Sequence, residues 1–254
     1  MIKAKSTEKP KNKLLKCYDI HQHIVFGVDD GAVDLEMSAA MLEECVRQNV
    51  RSVVCTSHVD GNSTLESRLR YQQNYAELHQ YTKKNGLRVS LHQGSEILYS
   101  EKTVDQLMKG IALPLGKSDC VLIEFFPLSS YDTIKNAVSM LYNAGYRPVI
   151  AHVERYGCLR DAERLSFLRS RYKVLIQMNA GTIVSAGKLF GNRFDKRAIR
   201  SGLIDIIGSD AHNLTSRKQN MSAAAEVLIR MVGEEKARSM CYDTARAIIR
   251  SEPT

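Results

Sequence analysis

The chain has 254 residues, of which 44% are hydrophobic, so it can bury the core of one large α/β domain. Its formal net charge of +8 favours an anionic partner. Nucleic acid is not the expected partner, because the chain has no Trp and no basic patch interleaved with aromatic residues. No apolar run approaches the roughly 18 residues that a membrane-spanning helix needs.

The ends of the chain and its cysteines indicate where the protein resides. Residues 1–16 are polar and rich in lysine, and they lack the apolar segment of a signal peptide. We therefore predict a disordered basic tail over residues 1–17 and a single domain over residues 18–254. The six cysteines include no Cys-x-x-Cys pair, which is typical of reduced thiols in a cytoplasmic protein.

Strand-like and helix-like segments alternate along the chain. The predicted strands cover residues 18–23, 52–56, 88–96, 119–124, 147–152, 174–179 and 204–210. The predicted helices cover residues 35–48, 65–85, 101–109, 133–144, 162–171 and 194–201, and residues 215–250 are predicted to form two closing helices that break at Gly233. Gly86, Gly145 and Gly202 each follow a helical segment, where a glycine commonly ends a helix. This alternation favours a parallel sheet with right-handed connections.

The predicted strands end in side chains that can bind metal ions. His21 and His23 are two positions apart on the first strand, so their imidazoles lie on the same face. The remaining strand ends supply more imidazoles, carboxylates and one amide: His58, Glu96, Glu124, His152, Asn179, Asp210 and His212. In a β/α barrel the carboxyl ends of the strands form the face that carries the active site. We therefore expect these side chains to converge.

The expected donors are imidazoles and carboxylates, without a thiolate. This set suits Mn, Fe, Co or Zn in an open catalytic site and does not suit a closed, cysteine-rich structural zinc site. The chain offers more donors than one ion needs, so we expect two or three divalent ions that share a bridging carboxylate. Multinuclear sites of this kind hydrolyse phosphate esters.

Three other segments imitate phosphate-binding motifs. Cys45 with Arg51, and Cys158 with Arg164, match the C-x5-R spacing of cysteine-dependent tyrosine phosphatases. The residues between them lack the small, glycine-rich character that such a phosphate-wrapping loop requires. Residues 110–118 resemble a P-loop but have five residues between the glycines instead of four, and a strand follows them where the motif requires a helix. We interpret all three as coincidental.

The ordered motifs resemble a known family. They are DIHQH at 19–23, VDDG at 28–31, TSH at 56–58, GSEI at 94–97, LIEF at 122–125, AHVERY at 151–156 and GSDAHN at 208–213. Together they resemble the polymerase-and-histidinol-phosphatase (PHP) superfamily. Within it, they are most similar to the manganese-dependent protein-tyrosine phosphatases of bacterial capsule and exopolysaccharide operons. The resemblance extends from about residue 18 to the carboxyl terminus.

This resemblance implies a fold and a set of site residues. The fold would be a single-domain, distorted (β/α)7 TIM-like barrel, and the cofactors would be two or three divalent ions, Mn²⁺ in particular. The implied metal ligands are His21, His23, Asp30, His58, Glu96, Glu124, His152, Asp210 and His212. Glu96 would bridge two ions, whereas the choice between Asp29 and Asp30 stays open. Arg155 and Arg217 match the phosphate-binding arginines of the family, but residues 59–62 lack the basic side chains of many relatives.

The expected reaction is metal-assisted hydrolysis of a phosphomonoester, with in-line attack by water and no phospho-enzyme intermediate. The resemblance implies phosphotyrosine on a cognate bacterial tyrosine kinase as the substrate, and control of polysaccharide synthesis as the role. Two alternatives remain at this point. One is a small-molecule phosphatase of the same superfamily, such as one that acts on histidinol phosphate. The other is a non-catalytic regulator that has kept the fold.

Overall fold

A computed structural model describes residues 14–250 of the chain. Seven parallel strands follow one another around a single sheet in the order β1 to β7. They are β1 (Cys17–Gln22), β2 (Val50–Val59), β3 (Ser90–Leu98), β4 (Cys120–Glu124), β5 (Arg147–Ile150), β6 (Leu175–Asn179) and β7 (Ile206–Gly208). Beyond the end of β7, Asp210 donates its N–H to His21 O and His23 donates its N–H to Ala211 O. These bonds close the sheet into a barrel.

Residues 14–250 also form ten α-helices. They are α1 (Leu35–Arg47), α2 (Leu65–Lys84), α3 (Thr103–Met108), α4 (Tyr131–Asn143), α5 (Ala162–Tyr172), α6 (Ala180–Ala186), α7 (Arg193–Arg200), α8 (Met221–Val232), α9 (Glu234–Arg238) and α10 (Thr244–Arg250). A π-helical turn, Ser239–Asp243, joins α9 to α10. The predicted pair of closing helices with a break at Gly233 is therefore confirmed.

Side-chain caps define where several helices begin. The Asp34 carboxylate accepts the Met37 N–H at the start of α1, and Thr64 forms a reciprocal capping box with Ser67 at the start of α2. At the other ends, Gly86 and Gly145 adopt φ of +61° and +88°, a conformation that glycine enters without steric cost. The predicted glycine helix ends are confirmed.

Two apolar cores lie on the two sides of the barrel wall. On β4, Val121 and Ile123 pack into the outer core between sheet and helices, whereas Leu122 packs into the barrel interior. The interior core also contains Ala245 and Ile248 of α10, which closes the amino-terminal end of the barrel. The predicted seven-stranded β/α barrel is confirmed.

Several boundaries differ from the prediction. β5 was expected to reach His152 but ends at Ile150, because His152 adopts a left-handed conformation with φ of 32°. β7 is shorter than the predicted 204–210, since Asp210 also has a positive φ of 54°. Helix α6 was not predicted, because its sequence contains Gly181 and β-branched residues that favour helices weakly.

The first strand begins one residue earlier than predicted. β1 begins at Cys17, which is fully buried, although we had placed this residue in the basic tail. Residues 14–16 of that predicted tail belong to no helix or strand, and residues 1–13 lie outside the described residues.

Candidate metal centre

The predicted ligands converge at the carboxyl ends of the strands. Among the described residues, three groups of side chains place their donor atoms within 4.8 Å of one another. The groups are His21, His23, Glu96 and Asp210; then His58, Glu96 and Glu124; then His23, Asp30, His58 and His212. His152 joins the second group through its Nε2, which lies 2.8 Å from Glu96 Oε1 and 3.4 Å from Glu124 Oε2. All nine predicted ligands therefore lie in one connected cluster.

Glu96 occupies the centre of this cluster. Its Oε2 lies 3.1 Å from His21 Nε2 and 3.0 Å from His23 Nε2, while its Oε1 faces His152. The two carboxylate oxygens of Glu96 thus face two different groups of imidazoles. This arrangement is the one that a bridging carboxylate requires.

The outer part of the cluster combines Asp30 with two histidines. Asp30 Oδ1 lies 3.2 Å from His212 Nε2 and 3.3 Å from His58 Nε2. The other ring nitrogen of His58, Nδ1, lies 3.3 Å from Glu96 and 3.4 Å from Glu124. His58 therefore stands between the outer group and the Glu96 group.

The structure distinguishes the two adjacent aspartates, which the sequence left ambiguous. Asp29 is buried, and its carboxylate accepts hydrogen bonds from His23 Nδ1 at 2.9 Å and from the N–H groups of Gly31 and His58. The side chain of Asp30 is 60% exposed and faces His58 and His212. Asp30 therefore faces the imidazoles of the cluster, whereas Asp29 contacts the outward-facing nitrogen of the His23 ring.

Most of the histidines are held through the ring nitrogen that faces away from the cluster. His21 Nδ1 lies 3.3 Å from Gln177 Oε1, and His152 Nδ1 lies 3.3 Å from the Tyr156 hydroxyl. His212 Nδ1 lies 3.0 Å from the backbone oxygen of Asp210. Partners of this kind set the tautomer and ring orientation of metal-binding histidines.

Sequence reasoning missed three of these supporting residues. Gln177 has no motif around it, although it is two positions before Asn179 and thus on the same face of β6. Gln177 also accepts the His152 N–H at 2.7 Å, which stabilises the left-handed backbone there. Asp19 accepts hydrogen bonds from the N–H groups of His21 and Ser209. Tyr156 contacts His152 through its hydroxyl. Both residues lie within the sequence motifs, but no supporting role was predicted for them.

The electrostatics of the cluster call for cations. Burial would raise the pKa of Glu96, but the neighbouring histidines His21, His152 and His23 hold it well below its usual range. Burial would also raise the pKa of Asp210, yet charge from His21 and other neighbours lowers it to about 2. Conversely, burial would lower the pKa of His23, whereas Asp29 and Glu96 raise it to about 10. Buried carboxylates thus stay ionised and attract positive charge.

Two buried metal-binding atoms in the cluster, Glu96 Oε2 and His212 Nε2, form no well-aligned hydrogen bond. Both lie within 3.2 Å of imidazole or carboxylate atoms of the cluster, but the angles do not suit a hydrogen bond. In addition, His21 Nε2 and His23 Nε2 lie 3.3 Å apart, so at least one of them presents a lone pair to the other. Unpaired imidazole and carboxylate donors that point to one place fit divalent metal ions.

The two predicted arginines lie beside the cluster and share Asp210. Arg155 Nη2 donates to Asp210 Oδ2 at 2.6 Å, and Arg217 Nη2 donates to Asp210 Oδ1 at 2.8 Å. Asn179 donates to the same carboxylate at 2.8 Å. The side chains of Arg155 and Arg217 are 41% and 37% exposed, so both guanidinium groups border the open cleft.

The sequence belongs to a known family. The family described as "Capsular polysaccharide synthesis, CpsB/CapC" matches residues 17–250. The chain belongs to the CpsB/CapC family. It is 34% identical to the tyrosine-protein phosphatase CpsB of Streptococcus pneumoniae over 242 residues, which is 91% of this chain and 97% of that protein.

Solved structures agree with this CpsB/CapC membership. One, from work on YwqE of Bacillus subtilis and CpsB of Streptococcus pneumoniae as metal-dependent tyrosine phosphatases, superposes with a TM-score of 0.80 and 28% identity. It covers 92% of this chain and 95% of its own. An amidohydrolase from Mycoplasma synoviae has a TM-score of 0.56 at 11% identity, covers 96% of this chain and 95% of its own, and shares the fold alone.

The rival phosphate-binding motifs do not form sites. Cys45 is fully buried in α1, and burial raises the pKa of its thiol to about 12. Arg164 donates to the backbone oxygen of Cys158, and burial raises the pKa of the Cys158 thiol. Residues 110–118 form turns between α3 and β4.

Over residues 14–250, no helix is both long and apolar enough to cross a membrane.

Proposed function

We propose that this chain is a metal-dependent protein-tyrosine phosphatase that acts in bacterial capsule or exopolysaccharide synthesis. The observation that carries the proposal is the arrangement of three donor groups around Glu96 at the open end of the barrel. Membership of the CpsB/CapC family supports it, as do relatives named tyrosine-protein phosphatase. We propose a cognate tyrosine kinase as the phosphoprotein substrate. We also propose a cytoplasmic location, in keeping with six cysteines that are all free thiols.

The proposed ligand assignment follows the three groups. His21, His23, Glu96 and Asp210 would hold the first ion. Glu96 would bridge to a second ion, which Glu124 and His152 also hold, and Asp30, His58 and His212 would hold the third. We propose Mn²⁺ in these positions, because a carboxylate-rich donor set without thiolate suits it.

Divalent ions held by these residues would supply positive charge to the phosphate and would lower the pKa of water. The chain itself orients the substrate. Among the described residues, the Arg155 guanidinium donates only to Asp210, so its remaining N–H groups are available to phosphate oxygens. Arg217 donates to both Asp210 and Asp30 and lies on the opposite side of the Asp210 carboxylate. Planar guanidinium groups match the geometry of phosphate oxygens and stabilise charge that develops on them.

A phosphatase assay with different metals tests the proposal. Purified protein is stripped with EDTA and reloaded with Mn, Co, Mg or Zn, and phosphotyrosine peptide is the substrate. We expect EDTA to abolish turnover and Mn to restore it. Histidinol phosphate, assayed on the same preparation, tests the alternative; faster turnover of histidinol phosphate than of the peptide would contradict the proposal. A protein with no turnover under any metal would be a non-catalytic regulator.

Phosphoserine peptide provides a second comparison. The tyrosine phenol has a pKa of about 10, so the phenolate departs with modest assistance. A serine alkoxide is much more basic, close to water at about 15.7, and normally needs a general acid. We therefore expect phosphoserine to be hydrolysed poorly even at saturation. Equal kcat values for the two peptides would mean that the site contains an efficient general acid.

A further inference from the structure

The open cleft of the metal cluster, here called the metal cleft, is lined by Asp30, His58 and Glu124 among others. A small polar cavity lies next to it, on the outer side of the barrel wall. Its volume is about 100 Å³, and it is bounded by the ends of β2 and β3 and by the first turns of α2. Ser57 pairs with Ser95 across β2 and β3, just as His58 pairs with Glu96 one position later. Because successive strand side chains point to opposite faces, Ser57 and Ser95 face outward while His58 and Glu96 face the metal cluster.

Arg68 of α2 lines this cavity and has no anionic partner. Its Nη2 donates to the neutral Gln93 Oε1 at 3.0 Å, and its guanidinium lies 5.2 Å from the centre of the Tyr71 ring. Its Nη1 is buried without any hydrogen-bond partner. Within residues 14–250, Arg68 forms no ion pair, and burial lowers the pKa of its guanidinium. A guanidinium that is partly removed from water and meets only neutral groups is energetically costly.

Ser57 provides a second unused donor in the same cavity. The residue is 5% exposed, and its Oγ has no hydrogen-bond partner. The cavity also lies at the amino-terminal end of α2, a helix of 20 residues, where the helix dipole contributes positive potential. One cavity thus combines an unpaired guanidinium nitrogen, an unpaired hydroxyl and a favourable helix end. A water molecule would satisfy the two donors but would not balance the charge of Arg68.

We propose that this cavity is a second oxyanion subsite, which binds a carboxylate or phosphate group while the phosphotyrosyl group occupies the metal cleft. The cavity and the metal cleft share four lining residues, Val28, His58, Val59 and Ser63. The oxyanion and the phosphotyrosyl group would therefore be neighbours. The oxyanion has two sources: an acidic group near the phosphotyrosine of the substrate, or a free inorganic anion. The first source rests on the proposed function, whereas the second does not.

Paired peptides test the first source. The metal-loaded enzyme is assayed with phosphotyrosine peptides that carry Glu or Gln at the positions flanking the phosphotyrosine. We expect wild type to favour the Glu peptide by about tenfold in kcat/KM, the range expected for one hydrogen bond to a charged group. Arg68→Met should bring this ratio close to one. Arg70→Met is the matched control, because Arg70 is an exposed arginine on the same helix that does not line the cavity, and it should keep the wild-type ratio.

Ser57→Ala keeps the proposal testable if Arg68→Met does not fold. This change removes a hydroxyl that makes no hydrogen bond, so the fold should tolerate it, and we expect the Glu-to-Gln ratio to fall about threefold. Sulfate tests the second source, a free inorganic anion. The measured quantity is the rise in Tm that sulfate produces in the metal-loaded wild type and in each metal-loaded variant.

The outcomes separate the two sources and the two proposals. A Glu preference that is lost in Arg68→Met supports the subsite with a substrate group. A ratio of one in wild type, together with a sulfate-induced rise in Tm that is smaller in Arg68→Met and Ser57→Ala, supports it with a free anion. If the ratio and the sulfate effect are the same in wild type and both variants, the cavity holds only water and the inference is wrong. If no peptide is hydrolysed, the proposed function fails, and the sulfate measurement still decides the cavity.

Discussion

The two ends of the barrel interior use the same strands for opposite purposes. Towards the amino-terminal end, Ile20, Leu115 and Ile206 belong to one buried apolar core with Ala245 of α10. Towards the carboxyl-terminal end, the strands deliver buried carboxylates and imidazoles. The first arrangement stabilises the fold through apolar burial. The second contains buried ionisable groups and two non-glycine residues with a positive φ, features that are typical of functional sites.

Backbone geometry marks the transition between the two regions. His152 and Asp210 are two of four non-glycine residues among residues 14–250 that have a positive φ, and both follow a strand directly into the cluster. Their side chains would point elsewhere if the strands simply continued. Apolar packing at one end of the barrel therefore stabilises the fold that positions the polar cluster at the other end. Mutations at the apolar end should change stability, whereas mutations at the polar end should change metal binding and activity.

The largest effect should come from Glu96→Ala, which removes the carboxylate shared by the donor groups. We expect loss of at least two ions and a fall in turnover by several orders of magnitude, because the ions supply the main transition-state charge. Metal analysis of the purified variant, together with phosphotyrosine kinetics, measures both. Full metal content in Glu96→Ala would show that Glu96 is not the bridge.

Leu115→Ala is the matched change at the apolar end of the barrel, where Leu115 precedes β4 and belongs to the same core as Ala245 of α10. Leu115 is fully buried, so its truncation should lower the free energy of unfolding by about 2–5 kcal/mol. Denaturant unfolding measures this loss, and activity per folded molecule should remain close to wild type. A collapse of metal binding in Leu115→Ala under conditions where it is folded would show that the two ends are not independent.

Arg155→Ala sharpens the comparison within the polar end, between groups that hold metal and groups that hold phosphate. We expect metal content to be kept and kcat/KM to fall by about 30- to 150-fold, which corresponds to about 2–3 kcal/mol for a lost charged hydrogen bond. Arg164→Ala, at an exposed arginine outside the cleft, is the control. An equal fall in kcat/KM in the two variants would show that Arg155 does not bind the phosphate.

Asp29→Asn tests whether the buried aspartate orients His23 without binding an ion itself. The amide keeps the shape of the side chain but weakens its bond to His23 Nδ1. We expect metal affinity or activity to fall by about 10- to 100-fold, the usual effect of changing a partner of a metal-binding histidine. Titration of the metal-free protein with Mn²⁺ gives the affinity. Asp30→Asn should show the larger loss, and the reverse order would exchange the two roles.

The smallest effect should come from the cysteines. Cys158→Ser and Cys45→Ala should keep kcat/KM within about twofold of wild type. Burial, complete for Cys45 and partial for Cys158, raises the pKa of both thiols, and a protonated thiol is a poor nucleophile. Alanine is chosen at position 45 because that site is fully buried. Inactivation of either variant with its metal content intact would indicate thiol chemistry.

The sequence alone determined the barrel and most of the side chains that meet at its carboxyl end, because both depend on local periodicity and chain order. In a parallel sheet whose strands follow one another, side chains at strand ends must meet at one edge, so His21, Glu96 and Asp210 could be grouped without coordinates. Glycine-terminated helices were equally readable, since Gly86 and Gly145 satisfy a conformational requirement of their own backbone.

Only the tertiary structure decided which groups support or extend the site. Asp29 and Asp30 are adjacent and chemically identical. They differ only in their surroundings, because Asp29 is buried against His23 whereas Asp30 is exposed and faces His58. Gln177 contacts His21 across 156 positions of sequence. Ser57 and Arg68 line the same cavity because α2 packs against β2, where the Tyr71 hydroxyl donates to Cys55 O. Such contacts depend on how separate elements pack, and no local pattern encodes a partner so far away along the chain.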